Sequence, residues 1–154
     1  MRYFRPVPAC LRADTHRQAG GCPCRLKSDF LSIHAGFPAL EVPEGLILFQ
    51  GTADPLADAR RQEDIGTPRF GRSTGDWDLI HGELVTFTDP QRNLPPIDRL
   101  EGFRPGGQSM YQRVMVAVLV NRTPCAAWIY DGSPMRPGLS GNRTERLWTG
   151  TSFG

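Results

Sequence analysis

The stretch LPPIDRLEGF, residues 94–103, places two carboxylates, Asp98 and Glu101, three positions apart in an apolar segment framed by prolines. At that spacing the two acids share one face of a helical turn. A glutamate held in such a place can take and return a proton if its surroundings raise its pKa towards neutrality. Ile97, Leu100 and Phe103 are expected to strip water from Glu101, and Asp98 is expected to add like-charge repulsion; both effects push a carboxyl pKa up. The competing reading makes Glu101 a solvated helix-end acid, with Asp98 capping the helix or pairing with Arg99.

The elements that must position these acids are mostly strands. DLIHGELVTF (78–87) is apolar and strand-like, YQRVMVAVLV (111–120) is valine-rich, and CAAWIY (125–130) follows the turn NRTP (121–124). The last two runs and their turn have the pattern of a β-hairpin. RNLPPIDRLEGF supplies the one convincing helix, a short one, opened by its proline pair. Earlier in the chain, Phe30–Ile33 and Leu46–Phe49 read as strands between Gly and Pro turns. Ala9–Arg17 reads as a short helix. Residues 51–76 are polar and glycine-rich and read as a loop insertion with one helical turn near Leu56–Gln62. The fold class expected is α+β: one domain over 1–154, built on a mixed, mostly antiparallel curled sheet or partly closed β-barrel with a few short helices.

Composition removes several classes of function. Eighteen basic residues face sixteen acidic ones, and the net charge of +2 is scattered without the concentrated stripe that nucleic-acid binding requires. No run approaches the length of a membrane span and no apolar signal core opens the chain, so a cytoplasmic location is expected. Cys22-Pro-Cys24 is closer-spaced than a zinc knuckle, and His16, His34 and His81 keep no ligand spacing. No metal or cofactor is therefore expected, and the four cysteines read as reduced thiols.

Taken in order, GFPAL (36–40), HGELV (81–85), IDRLEG (97–102), YQRVMVAV (111–118) and AWIY (127–130) form a series that resembles the γ-glutamylcyclotransferase-like family. The resemblance is greatest to its branch of small bacterial and γ-glutamylamine cyclotransferase proteins, and it runs from about residue 30 to residue 130. It implies an enzyme that releases 5-oxoproline and a free amine from a small γ-glutamyl amide. The substrate's own α-amino group attacks its γ-carbonyl, so proximity is supplied largely by the substrate itself. The same resemblance puts Glu101 at the catalytic acid/base position and Tyr111 and Tyr130 at the wall of the substrate pocket. Their hydroxyls would hold the substrate's carboxylate or amine, against the common alternative of strand-end tyrosines with wet hydroxyls. Arg113 reads as a structural ion-pair partner before a ligand for that carboxylate.

One departure stands out. Family members open with a strand and a Y-G-T-L-type glycine loop whose N–H groups receive the substrate's developing charge. MRYFRPVPACLR contains no such loop, and both the first strand and the loop are expected to be missing here. Gln50-Gly51-Thr52 in LILFQGTADP imitates the loop but follows GFPAL, and an ordinary turn is the expected role. The departure keeps a second reading alongside the enzyme: an inactive relative that binds a small metabolite or a protein partner. Oligomeric state is not legible in the sequence.

Overall fold

The computed structural model describes residues 1–6, 18–27, 39–71 and 78–132, with the backbone alone described for residues 6, 18–27, 39 and 78. Among these residues seven strands and two α-helices form, in the order β1 (Arg2–Pro6), β2 (Gln18–Lys27), β3 (Ala39–Glu41), β4 (Ile47–Gln50), α1 (Pro55–Asp64), β5 (Asp78–Thr86), α2 (Pro90–Leu100), β6 (Gln112–Val120) and β7 (Thr123–Asp131). The sheet order is β3-β2-β5-β1-β7-β6-β4. Every pairing is antiparallel except β1 with β7. β2 also meets β6 at Gly20↔Val120 and Gly21↔Leu119, so the sheet curls back on itself. A mixed, mostly antiparallel curled sheet in an α+β domain is thus present. The expected helix at Ala9–Arg17, the strand at Phe30–Ile33 and residues 36–38 of GFPAL lie outside the described residues.

Alternation along the strands divides the core in two. Val114, Val116, Val118 and Val120 of β6 point to one face, with Phe4, Leu84, Ala127 and Ile129. Met115 of β6 points to the other, with Tyr3, Ala126, Trp128, Tyr130 and Phe103. Because both faces are covered, β6 reads as a nearly unbroken apolar run. Its hairpin with β7 turns through Asn121 and Arg122 alone, at φ of 50° and 66°. That is the left-handed turn that matches the twist of the strands, and it suits Asn followed by Gly. Arg122 is exposed and strained there. Arg122→Gly is therefore expected to stabilise the domain by about 1 kcal/mol, a rise of about 2–4 °C in thermal midpoint.

The expectation of a missing first strand and glycine loop is met in neither part: a strand forms at the start, and residues 7–17, where a loop would follow it, lie outside the described residues. The chain does have an opening strand: β1 pairs with β5 from Arg2↔Thr86 to Pro6↔Gly82 and touches β7 at Tyr3↔Trp128. Five residues with only two apolar aromatics give a weak local signal, and the strand is held by partners distant in sequence. Within 51–71 the helical turn expected near Leu56–Gln62 is present as the longer helix α1, and 72–76 lie outside the described residues. Asp54 caps α1 by accepting the N–H groups of Leu56 (2.9 Å) and Ala57 (3.2 Å), and Pro55 occupies the first helical position. One face of α1 buries Asp58, Ala59 and Gln62.

Gln62 seals the seam that the single β1–β7 pair leaves open. Its amide donates to the carbonyls of Arg2 (3.0 Å) and Ala126 (2.9 Å), and its oxygen accepts the Arg2 N–H (2.7 Å). Gln62→Ala strands these backbone groups, and a loss of about 2 kcal/mol in denaturant unfolding is expected.

Helix α2 also starts earlier than its prolines suggest. Asp89 accepts the Arg92 N–H (3.0 Å), Pro90 begins the helix, and Pro95 and Pro96 lie inside it. The prolines deprive the carbonyls of Gln91 and Arg92 of their helical donors. Those two residues are exposed, so water can take the donors' place. Leu94, fully buried, anchors the segment.

Candidate active site

Glu101 closes α2 in a helix-ending turn whose backbone is fully determined. The Gly102 N–H donates to the Arg99 carbonyl (3.2 Å) and the Phe103 N–H donates to the Asp98 carbonyl (2.8 Å). This pair of bonds needs a left-handed residue just past the cap, and Gly102 has φ 63°. The glutamate is half-buried, and burial raises its pKa above the usual carboxylate range. A carboxylate at a helix C-terminus also meets the negative end of the dipole, which acts in the same direction. No hydrogen bond or ion pair joins its carboxylate to another described residue.

Two phenols lie within its field. Burial holds the pKa of Tyr3 well above the usual tyrosine range, and the charge of Glu101 adds to that. Burial, then Glu101, raises Tyr111 as well. Both therefore stay protonated donors at neutral pH. Tyr3 is fixed between Phe87, stacked at 6.4 Å, and Tyr130, edge-on at 5.6 Å. The sequence reading did not single out Tyr3, because its strand was not recognised.

The surroundings of Glu101 differ in part from those expected. Leu100 is 81% exposed and shields nothing, whereas Phe103 is buried and Ile97 partly so. Asp98 neither caps the helix nor pairs with Arg99. It receives Arg113 Nη1 in an ion pair, and the Tyr130 hydroxyl donates to its Oδ1 at 2.5 Å. With its charge answered there, Asp98 is not among the causes of the shift at Glu101. Tyr130 therefore supports Asp98 with its hydroxyl proton, which leaves the acceptor side of that oxygen for a ligand. Tyr111 is half-buried.

Arg113 is the centre of the neighbouring network and is fully buried. Its Nη2 donates to Asp58 Oδ2 at 2.5 Å and to the Thr52 carbonyl at 2.7 Å. Its guanidinium carbon lies 4.7 Å from the centre of the Phe103 ring and 5.7 Å from that of Trp128. Burial alone would lower the pKa of Arg113, but its bonds to Asp98 and Asp58 outweigh it and the net shift is upward. Asp58 is itself fully buried and also accepts the Thr52 N–H and hydroxyl, each at 2.9 Å. The ion-pair reading of Arg113 matches this geometry.

The turn at Gln50-Gly51-Thr52 lies against the same arginine. A Cβ at Gly51 would stand 2.7 Å from Arg113 Nε, so only glycine fits. The Gly51 N–H donates to the Arg113 carbonyl (2.6 Å), the Thr52 N–H to Asp58, and the Asp54 N–H to Thr52 Oγ1 (3.1 Å). These donors are spent within the protein, as in an ordinary turn.

Comparison with protein-family models, with curated proteins and with solved structures gives no match. Among the described residues no group of three or more His, Cys, Asp or Glu is placed to hold a metal ion, and no helix is long and apolar enough to cross a membrane. Cys125 is a free, half-buried thiol whose pKa burial pushes up.

Proposed function

We propose that this protein is a γ-glutamylcyclotransferase-like enzyme that releases 5-oxoproline and a free amine from a small γ-glutamyl amide. The observation that carries the reading is Glu101: half-buried, without an ion-pair partner among the described residues, raised in pKa, and with its charge felt by the phenols of Tyr3 and Tyr111. A carboxylate of raised pKa suits both removal of a proton from the substrate ammonium and its return to the leaving nitrogen. The freed amine forms a bond to the γ-carbonyl carbon and the carbonyl oxygen takes up negative charge. The carbonyl then re-forms as the amide C–N bond breaks, Glu101 protonates the departing nitrogen, and the second proton shed by the ring nitrogen ends on the released amine as its ammonium. Tyr111 hydrogen-bonds the substrate near the acid. Tyr130 gives its proton to Asp98 and can meet the substrate only as an acceptor, for example of the ammonium.

The alternative, an inactive relative that binds a small metabolite or a protein, is favoured by the internally spent N–H groups at Gly51 and Thr52. Incubation with a panel of γ-glutamyl amines and γ-glutamyl dipeptides separates the two. Release of 5-oxoproline together with the amine, with saturation kinetics on at least one member, supports the enzyme. Binding without release on every member would leave the binding module.

A further inference from the structure

From this network we infer that Arg113 is the positioning residue for Glu101, gripping the two residues that bracket the glutamate and anchoring both to the sheet. On the helix side its guanidinium pairs with Asp98, three residues before Glu101. On the loop side it lies face-on to Phe103, two residues after it. The Phe103 N–H to Asp98 carbonyl bond joins these two grip points across the turn, so Glu101 and Gly102 are held as a closed staple. The far side of the guanidinium is fixed by Asp58 of α1 and the Thr52 carbonyl, and the far side of Asp98 by the Tyr130 hydroxyl of β7. β6, α1 and the Thr52 turn thus fix the acid through one buried cation, and β7 adds its hold through Asp98.

A lysine could carry the same charge but not the same grip, since it lacks the planar fork and the delocalised cation that sits over Phe103. The charged and titratable groups around the turn are Asp98 and Arg99 on its own helix, Arg104 just after it, Arg113 on β6, Asp58 on α1, Tyr3 on β1, Tyr130 on β7 and Tyr111 just before β6. With the staple loosened, the Glu101 side chain swings out to water. This inference rests on the reading of Glu101 as the proton carrier for its catalytic consequence, but not for its structural one.

The test is a carbon-13 NMR titration of the Glu101 side-chain carboxyl in the parent, Arg113→Lys and Tyr130→Phe, paired with pH–rate profiles on a γ-glutamyl amide. In both variants the carboxyl is expected to titrate closer to the ordinary glutamate range, with the larger move in Arg113→Lys. Its kcat is expected to fall about 100-fold with a much smaller change in KM, as for a misplaced catalytic group. If Arg113→Lys does not fold, Tyr130→Phe, which loses one hydroxyl, decides the matter. Folded variants in which Glu101 titrates as in the parent overturn the inference. A parent that yields no 5-oxoproline from any γ-glutamyl substrate sinks the enzymatic reading, while the titration still decides the staple.

Discussion

Glu101→Gln is expected to lower kcat on a γ-glutamyl amide by about 10²–10⁴-fold, the usual contribution of a positioned acid/base. Glutamine keeps the size and the hydrogen-bonding tip but can neither take nor return the proton. KM should change little, because the substrate is held by other groups. The same substitution should stabilise the protein at neutral pH, and the sign follows from linkage. Burial raises the folded-state pKa of Glu101, so the folded protein holds that proton more tightly than the unfolded chain. The favourable contribution is complete below the ordinary glutamate pKa of about 4.3 and is lost as pH rises through the folded value. Parent and variant should therefore melt together in acid and diverge at neutral pH, with the variant higher. A variant that is slower and less stable at every pH would mean that Glu101 is a structural residue.

Asp58→Ala should be the most damaging single change to stability, at about 3–5 kcal/mol, the usual result of taking one partner from a buried ion pair. Asp58 and Arg113 are both fully buried, and the carboxylate also satisfies two donors of Thr52. Asp98 remains to balance the cation, but it is 17% exposed and on the opposite side of the guanidinium, so it cannot reach the Thr52 donors. Urea unfolding measures the loss directly, and a thermal midpoint lower by about 6–20 °C should accompany it. A loss under about 1 kcal/mol would show that water replaces the carboxylate, which the packing of Gly51 on Arg113 opposes.

The parts of this fold legible in the sequence are those whose information is local. The β6–β7 hairpin was readable because its strands are apolar and adjacent, and β5 because nine residues keep strand character around one glycine. The acid at the helix end was readable because Glu-Gly marks a helix stop. β1 and β2 were not. Arg2–Pro6 takes its strand form from β5 and β7, about eighty and more residues away, and the Gly-Gly and Cys-Pro-Cys content of β2 reads locally as a break. Asp54-Pro55 was a usable cap signature for α1, obscured by the polar residues around it. The partner of Asp98 was beyond reach for a related reason. A carboxylate beside Arg99 in sequence chose Arg113, which only the packing of α2 on the sheet brings near.

The most direct measurement of the central claim is the identity of the acid product. Reacted with a γ-glutamyl amide and analysed by mass spectrometry, the protein should yield 5-oxoproline and amine in equal amounts, without free glutamate and without incorporation of oxygen from labelled water. Glutamate carrying the label would mean that water, not the substrate's own amine, attacks the carbonyl, and would contradict the account.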